Sequence, residues 1–154
     1  MAINLKNYTT EVPADRSISY IEKLLVEFGA LNIMKEYQPL PPLPGSYCSS
    51  ISFIVEMDGY KLPVKLPANV LKVMEWLKKK KPSASPKNLA EQSLRIAWKQ
   101  QYEILHLQLG QIEMNQIEKL EVFLSYLYDI DKNKTYYEKI KSGGFKALMP
   151  SVGN

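Results

Sequence analysis

Residues 47–66 read YCSSISFIVEM, then DG, then YKLPVKL, and this stretch decides the fold. Side chains in residues 47–57 alternate strictly between two faces, which is the pattern of a β-strand. One predicted face carries Tyr47, Ser49, Ile51, Phe53, Val55 and Met57. Asp58-Gly59 provides a two-residue turn, so residues 60–66 are expected to return as an antiparallel strand. Pro63 cannot donate a ladder hydrogen bond, which predicts an edge strand or a bulge.

A helix is predicted on the N-terminal side of this hairpin. Its apolar residues recur at steps of three and four, which places them on one buried face. Asp15 or Ser17 is expected to cap its N-terminus, and Gly29 occupies the position of a left-handed C-cap. The residues of the buried face are Ile18, Ile21, Leu24, Leu25 and Phe28.

Three further segments complete the first half of the chain. Residues 31–37 are predicted to form a short strand, and the proline-rich residues 39–45 an exposed connection. A second helix is expected to begin at Pro67-Ala-Asn69. It ends in Lys78 to Lys81, where cations complement the negative end of the helix dipole.

The second half is predicted to be helical. A long apolar stripe begins after Asn88, a second apolar face spans residues 117–127, and a short helix covers residues 135–140. We therefore expect one α+β domain over residues 1–154, with a helix, a strand meander and a helix in residues 1–81 and a helical half in residues 87–141. A small antiparallel sheet of about three strands packs with helices, and the C-terminal half forms a long helical hairpin. The length of the apolar stripes predicts a homo-oligomer.

Composition restricts the class of protein. The chain has 154 residues, 45% of them hydrophobic, so a core can form without a disulfide or a metal. Cys48 is the one cysteine, which favours a reducing compartment. There is no run of the ~20 apolar residues that a membrane span needs, and Met1 to Tyr8 lacks the apolar core of a signal peptide. We expect a cytoplasmic protein.

Catalytic and metal-binding patterns are sparse. His106 is the one histidine, so a multi-histidine metal site is excluded, and nothing near Cys48 indicates that it pairs with His106 as nucleophile and base. The seven glycines form no phosphate-binding loop. Residues 129–140 resemble a calcium loop at their first positions, but Lys134 and Ile140 replace its glycine and glutamate. We expect a binding protein without cofactor or metal, and not an enzyme.

Positive charge is concentrated in the middle of the chain. Residues 61–100 contain ten Lys and Arg against two Asp and Glu, whereas the whole chain has a net charge of +4. Such a tract attracts phosphates, acidic partners or anionic lipid, or it simply keeps the surface soluble.

Within and beside this tract lie the residue types that bind a phosphate and a base. Arg95 would supply a bidentate phosphate contact, lysines would supply point charges, and aromatic rings would stack on a base. Trp98 also belongs to the apolar stripe, so stacking and core packing both remain open. The candidate ligand-binding residues are Lys61, Lys65, Asn69, Lys72, Arg95, Trp98, Lys99 and Tyr102.

Several segments together resemble a family of small uncharacterised proteins encoded by bacteriophages and prophages. The segments are Tyr8-Thr-Thr10, Val64-Lys-Leu-Pro-Ala-Asn-Val70, Arg95-Ile-Ala-Trp98-Lys-Gln, Glu121-Val-Phe-Leu124 with Tyr126, Thr135-Tyr-Tyr-Glu138 and Gly144-Phe145. The resemblance covers most of the chain, and Leu66 to Val70 and Ala97-Trp98 are its most specific parts. The connection at residues 39–45 is longer and richer in proline than in that family, and Gly110 replaces a better helix former. The family has no established activity, so the resemblance implies no catalytic residue.

Phage origin, as the resemblance implies it, leads to a first function hypothesis. In this hypothesis the protein captures a phosphorylated nucleotide, such as a host immune signal, and removes it from solution as an anti-defence protein. The alternatives are a nucleic-acid-binding protein of phage replication or recombination, a module that docks on a host protein, and an unusual hydrolase with converging carboxylates.

Overall fold

The structure is a computed structural model that describes residues 3–129 and 133–150. Its main elements are helix α1 (Ala14–Phe28), strands β1 (Leu31–Pro39), β2 (Ser46–Met57) and β3 (Tyr60–Pro67), and helices α2 (Val70–Lys80) and α3 (Pro86–Glu113). Shorter elements follow: helix α4 (Lys119–Phe123), a 3₁₀ turn (Leu124–Tyr126), strands β4 (Tyr128–Asp129) and β5 (Lys134–Thr135), helix α5 (Tyr136–Ser142) and a last 3₁₀ turn (Lys146–Leu148). The predicted α+β class is confirmed.

The central sheet is antiparallel, in the order β1-β2-β3. Phe53 of β2 lies opposite Val64 of β3, so the predicted hairpin register is confirmed. Asp58 and Gly59 both have positive φ, as a two-residue turn requires. Strand β3 lies at the edge of this sheet. Pro63, which has no N–H to donate, is therefore tolerated there, as it would not be in a central strand.

The apolar face of β2 forms the centre of the hydrophobic core. Ile51, Phe53 and Val55 are buried there, and the Phe53 ring meets the edge of the Phe123 ring at 5.5 Å. The core is completed by the buried faces of the helices, which include Ile21 and Leu25 of α1, Val73 and Leu77 of α2, and Ile96, Ala97 and Leu105 of α3. Each such side chain contributes about 1.5–3 kcal/mol when fully buried.

The second arm of the predicted helical hairpin differs from one long helix. Helix α3 ends at Glu113, the chain turns through Asn115 with a φ of 57°, and α4 is five residues long. Beyond it, Leu127 accepts a hydrogen bond from the Tyr136 N–H and bridges to Val64 at the free edge of β3. The apolar residues of this region therefore cover the end of the sheet from several short segments. Their helical spacing in the sequence predicts a single long helix.

Two local expectations at the first helix have different outcomes. Gly29 has a φ of 93° and forms the left-handed C-cap, as predicted. The predicted N-cap is wrong, because the cap position is Pro13 and no side chain caps the helix. Ser17 is instead buried inside α1. In the proline-rich connection, Leu40 is also buried, so that segment is attached to the core and is not exposed throughout.

Trp98 connects α3 to the central strand. Its ring is 1% exposed, and its Nε1–H donates to the Cys48 carbonyl oxygen at 3.0 Å. Of the two uses that the sequence left open for Trp98, the structure shows core packing. None of the helices in the described residues is long and apolar enough to span a bilayer.

We predict that Trp98→Phe lowers the free energy of unfolding by about 2–4 kcal/mol, because the substitution removes ring volume and leaves the Cys48 carbonyl without its indole donor. Urea denaturation followed by circular dichroism measures the change. Trp76→Phe is the control, because Trp76 is half-buried and makes an edge contact with the Tyr8 ring. Equal losses in the two variants would contradict a special role for Trp98.

Candidate ligand-binding site

The structure divides the eight predicted site residues among four places. Lys65, Asn69 and Lys72 line one pocket, which we call the sheet-end pocket. Arg95, Lys99 and Tyr102 lie on a flank of α3, at steps of four and three residues. The remaining two residues, Lys61 and Trp98, lie at the hairpin turn and in the core.

The sheet-end pocket lies where the strands meet the start of α2. Its volume is about 320 Å³, near the lower end of the range for small-molecule sites. Strand β1 contributes Glu36 and Gln38, β2 contributes Tyr47, Ser49 and Ser50, β3 contributes Lys65 and Pro67, and the start of α2 contributes Asn69, Leu71 and Lys72. The polar groups of three strands and one helix end therefore converge there.

Ser50 has an unusual place in this pocket. It is 2% exposed, it lines the pocket, and its Oγ has no hydrogen-bond partner. A buried hydroxyl without a partner costs about 1–3 kcal/mol.

The N-terminus of α2 opens on the same pocket. The Val70 N–H donates to the Ala68 carbonyl oxygen at 2.9 Å. The next N–H groups of the first turn have no acceptor within the helix, and the Asn69 side chain does not cap them. The first turn contains no acidic residue, and it carries Lys72 next to the positive end of the helix dipole. A cation at this end is unfavourable by a few tenths of a kcal/mol or more, and a bound anion reverses that effect.

Lys65 is held between two groups in the pocket region. Its Nζ lies 3.3 Å from Glu36 Oε2 and 4.9 Å from the centre of the Tyr128 ring. Its side chain is 21% exposed, so the ammonium is partly desolvated. Glu36 therefore neutralises part of the positive charge that the pocket offers to an anion.

The Tyr47 side chain is partly buried at the same pocket. Burial raises the pKa of its hydroxyl, so the group remains protonated and able to donate a hydrogen bond. Its backbone lies opposite Gln38 on β1, which places a phenol and an amide at the rim of the pocket.

The three α3 residues face away from the sheet-end pocket. Gln101 Nε2 donates to the carbonyl oxygen of Pro67, which fixes the side of α3 that faces the pocket. An α-helix turns about 100° per residue, so Lys99 lies on nearly the opposite side. Arg95 donates from Nη1 to Gln92 Oε1 at 2.8 Å, and Gln92 in turn binds the carbonyls of Tyr8 and Thr10. Arg95 thus supports the N-terminal segment, and it lies on the flank of α3 with Lys99 and Tyr102, apart from the sheet-end pocket.

Aromatic rings on that flank form a ladder with two lysines. Tyr102 packs between Tyr20 at 5.4 Å and His106 at 5.6 Å, measured between ring centres. Lys23 Nζ lies over the Tyr20 ring and Lys99 Nζ over the Tyr102 ring, at 5.9 and 5.5 Å. We call these five residues the tyrosine ladder.

A carboxylate borders the tyrosine ladder. Glu103 is bound by the Lys6 ammonium at 2.9 Å, and it also lies 3.8 Å from Lys99 Nζ. The hydrogen bonds from Lys6 and then Asn7 lower the pKa of Glu103, so it is charged at neutral pH and reduces the positive potential of the ladder.

Lys61 lies apart from both clusters. It is opposite Glu56 next to the hairpin turn, and its Nζ is 3.9 Å from the Glu56 carboxylate. Four residues of strand separate it from Lys65, a distance of about 13 Å. The two lysines share a face of β3 but not a ligand site.

Sequence reasoning did not identify Ser50, Tyr47 or Glu36 as members of the site. The one available signal was the run of serines at residues 46, 49, 50 and 52, which is unusual in a strand that enters a core. No sequence pattern places Glu36 of β1 beside Lys65 of β3, because they meet across β2.

The sulfur and imidazole candidates for catalysis are separated in the structure. Cys48 is buried in the core, and its thiol contacts the Ser50 carbonyl at 3.6 Å. His106 is exposed on the tyrosine ladder. In residues 3–129 and 133–150, no group of three or more His, Cys, Asp or Glu is arranged to hold a metal ion.

We predict that Cys48 does not react with Ellman's reagent in the folded protein. Burial raises the pKa of the thiol to about 11, so only about one thiol in a thousand is ionised at about pH 8. The measurement compares the rate of thiol modification in buffer with the rate in denaturant, where full reaction is expected. Rapid modification of the folded protein would show that Cys48 is accessible and ionised.

Known proteins provide no further guide to this site. Comparisons with models of protein families, with curated proteins and with solved structures found no match to this chain. The functional argument consequently rests on the sheet-end pocket and the tyrosine ladder themselves.

Proposed function

We propose that this protein binds a small phosphorylated nucleotide and holds its phosphate in the sheet-end pocket. The observation that carries the proposal is that Ser50 and the start of α2 lie at one pocket. Ser50, whose buried hydroxyl has no partner, and the first turn of α2, which no side chain caps, line the same pocket. Phosphate oxygens accept from both kinds of donor.

The two lysines of the pocket support a charged ligand. Lys72 is exposed in the first turn of α2, and Lys65 is partly desolvated beside Tyr128. Charge-assisted hydrogen bonds from such groups are about twice as strong as neutral ones. A phosphate that enters the pocket also replaces Glu36 as the partner of Lys65.

The resemblance to phage proteins motivates a biological role. We propose that the protein removes a host immune nucleotide from solution and thereby acts against a host defence. Sequestration requires tight binding and no chemical step. A homo-oligomer in which each copy carries one pocket would increase the amount of nucleotide bound per assembly.

The tyrosine ladder favours a second candidate function, the binding of single-stranded nucleic acid. Rings at 5.4–5.6 Å with lysines above them are suited to stacked bases and to a phosphate backbone. This function predicts affinity for short DNA that falls steeply with salt, because bound counterions are released. Glu103, held beside Lys99, opposes it.

We predict that a nucleotide which fills the sheet-end pocket raises the thermal stability of the protein. At a hundred times its Kd, a ligand adds about 2.7 kcal/mol, or roughly 5–10 °C in Tm for a chain of this size. The panel consists of nucleoside monophosphates, cyclic mononucleotides and dinucleotides, and short single- and double-stranded DNA. A salt-sensitive response to DNA alone would support the second function. No response to any member would contradict both functions and favour a protein partner.

Lys72→Gln tests the location of the phosphate. We expect the substitution to weaken nucleotide binding about tenfold or more, because it removes a charge-assisted contact next to the helix dipole. Arg95→Gln is the matched control, since Arg95 lies on the flank of α3 that faces away from the pocket. Titration calorimetry measures both. A loss with Arg95→Gln and none with Lys72→Gln would place the ligand on the tyrosine ladder.

Glu36→Gln should act in the opposite direction. It removes the carboxylate that lies 3.3 Å from Lys65 Nζ. The Lys65 ammonium can then pair with an anion in the pocket, and the repulsion between that anion and the Glu36 carboxylate is lost. We expect nucleotide affinity to rise severalfold in the same calorimetric experiment. Glu56→Gln, which acts on the remote Lys61, should leave affinity unchanged. Weaker binding by Glu36→Gln would mean that the carboxylate contacts the ligand directly.

A further inference from the structure

A second cavity lies beside the sheet-end pocket, between the end of β3, α2 and α3. Its volume is about 220 Å³, which is the space of about seven water molecules in the liquid and enough for a bicyclic ring. Its floor includes apolar side chains such as Leu66 and Leu105, and its rim carries Asn69, Gln100, Gln101, Gln108 and Tyr126. We call this cavity the amide groove.

The amide groove is polar but uncharged. None of the described residues that line it is Lys, Arg, Asp or Glu. Gln101 Nε2 is bound to the Pro67 carbonyl at 2.7 Å and Gln100 Nε2 to the Lys6 carbonyl at 2.8 Å, and these bonds fix both side chains in place. Their Oε1 atoms, and the whole side-chain amide of Gln108, remain available to a ligand.

Asn69 connects the amide groove with the sheet-end pocket. It lines both cavities, and its side chain makes no capping bond to α2. Asn69 is thus a wall common to both cavities, and a molecule with its phosphate at the start of α2 and its base in the groove would extend past Asn69.

The donors and acceptors in the groove suit the edge of a nucleobase. A side-chain amide has a donor and an acceptor next to each other, which matches the N6 donor and the neighbouring ring-nitrogen acceptors of adenine. In a free nucleotide the Watson–Crick edge is also open, and the N1–H donor and O6 acceptor of guanine match an amide equally well. The uncharged lining of the groove therefore suits a purine base of either kind.

We propose that the amide groove binds the base of the ligand, an inference that rests on the proposed binding of a nucleotide phosphate in the sheet-end pocket. The base lies between the apolar floor and the Tyr126 ring. The amides of Gln108 and Asn69 form hydrogen bonds with its edge. The ligand is thus a nucleotide with its base and not a bare sugar phosphate.

The test compares three compounds that share a phosphate: AMP, GMP and ribose 5-phosphate. Titration calorimetry on the full chain at constant salt gives each Kd. We expect AMP and GMP each to bind about fivefold or more tightly than ribose 5-phosphate, because one well-matched pair of hydrogen bonds to a base contributes about that factor or more.

Each other outcome overturns a defined part of the inference. Equal affinity for AMP and ribose 5-phosphate means that the groove holds no base, while the phosphate site remains. GMP binding no more tightly than ribose 5-phosphate, while AMP binds tightly, overturns the expectation that the groove accepts either purine. No binding by any of the three compounds contradicts the proposed function as well.

A substitution in the groove localises the effect. Gln108→Leu should reduce the affinity for AMP to that for ribose 5-phosphate, and it should leave the affinity for ribose 5-phosphate unchanged. Gln116→Leu is the matched control, because Gln116 is exposed in the turn after α3 and does not line the groove. Thermal unfolding of both variants confirms folding. Undiminished AMP binding by Gln108→Leu would exclude Gln108 from base recognition.

Discussion

The hydrogen bond from Trp98 to the Cys48 carbonyl fixes the position of helix α3 over the central strand. It lies in the core, where an unpaired indole N–H or carbonyl would be costly. One turn further along α3, Gln101 binds the Pro67 carbonyl, and the Ala68 N–H donates to the Ser49 carbonyl. Together these bonds hold the end of β3 against β2 and α3, and they determine where α2 begins.

The start of α2 in turn determines the candidate site. Because β3 ends beside Ser49 and Ser50, the uncapped N–H groups of α2 open next to a buried hydroxyl and a partly desolvated lysine. The groups favour an anion jointly, since the helix dipole and the ammonium charges act in the same direction. Glu36 opposes them, so the pocket's electrostatics depend on one carboxylate from the far strand.

The candidate lysines of the basic tract, residues 61–100, belong to one segment of the sequence but lie in three places in the structure. Lys61 lies next to the hairpin turn, and Lys65 and Lys72 line the sheet-end pocket. Lys99 belongs to the tyrosine ladder on the other flank of α3. A count of charges cannot distinguish these places, because a strand and two helices carry neighbouring residues in different directions.

The sequence by itself determined the α+β class, the hairpin with its Asp58-Gly59 turn and the presence of helices α1, α2 and α3, because each depends on local periodicity or turn residues. It also selected Lys65, Asn69 and Lys72, which line one pocket in the structure. Only the tertiary structure decided that Arg95 lies elsewhere, that Ser50 and Glu36 belong to the pocket, and that residues 119–129 form short segments and not the second arm of a helical hairpin. Those outcomes depend on contacts between residues far apart in the chain, and no local pattern encodes such contacts.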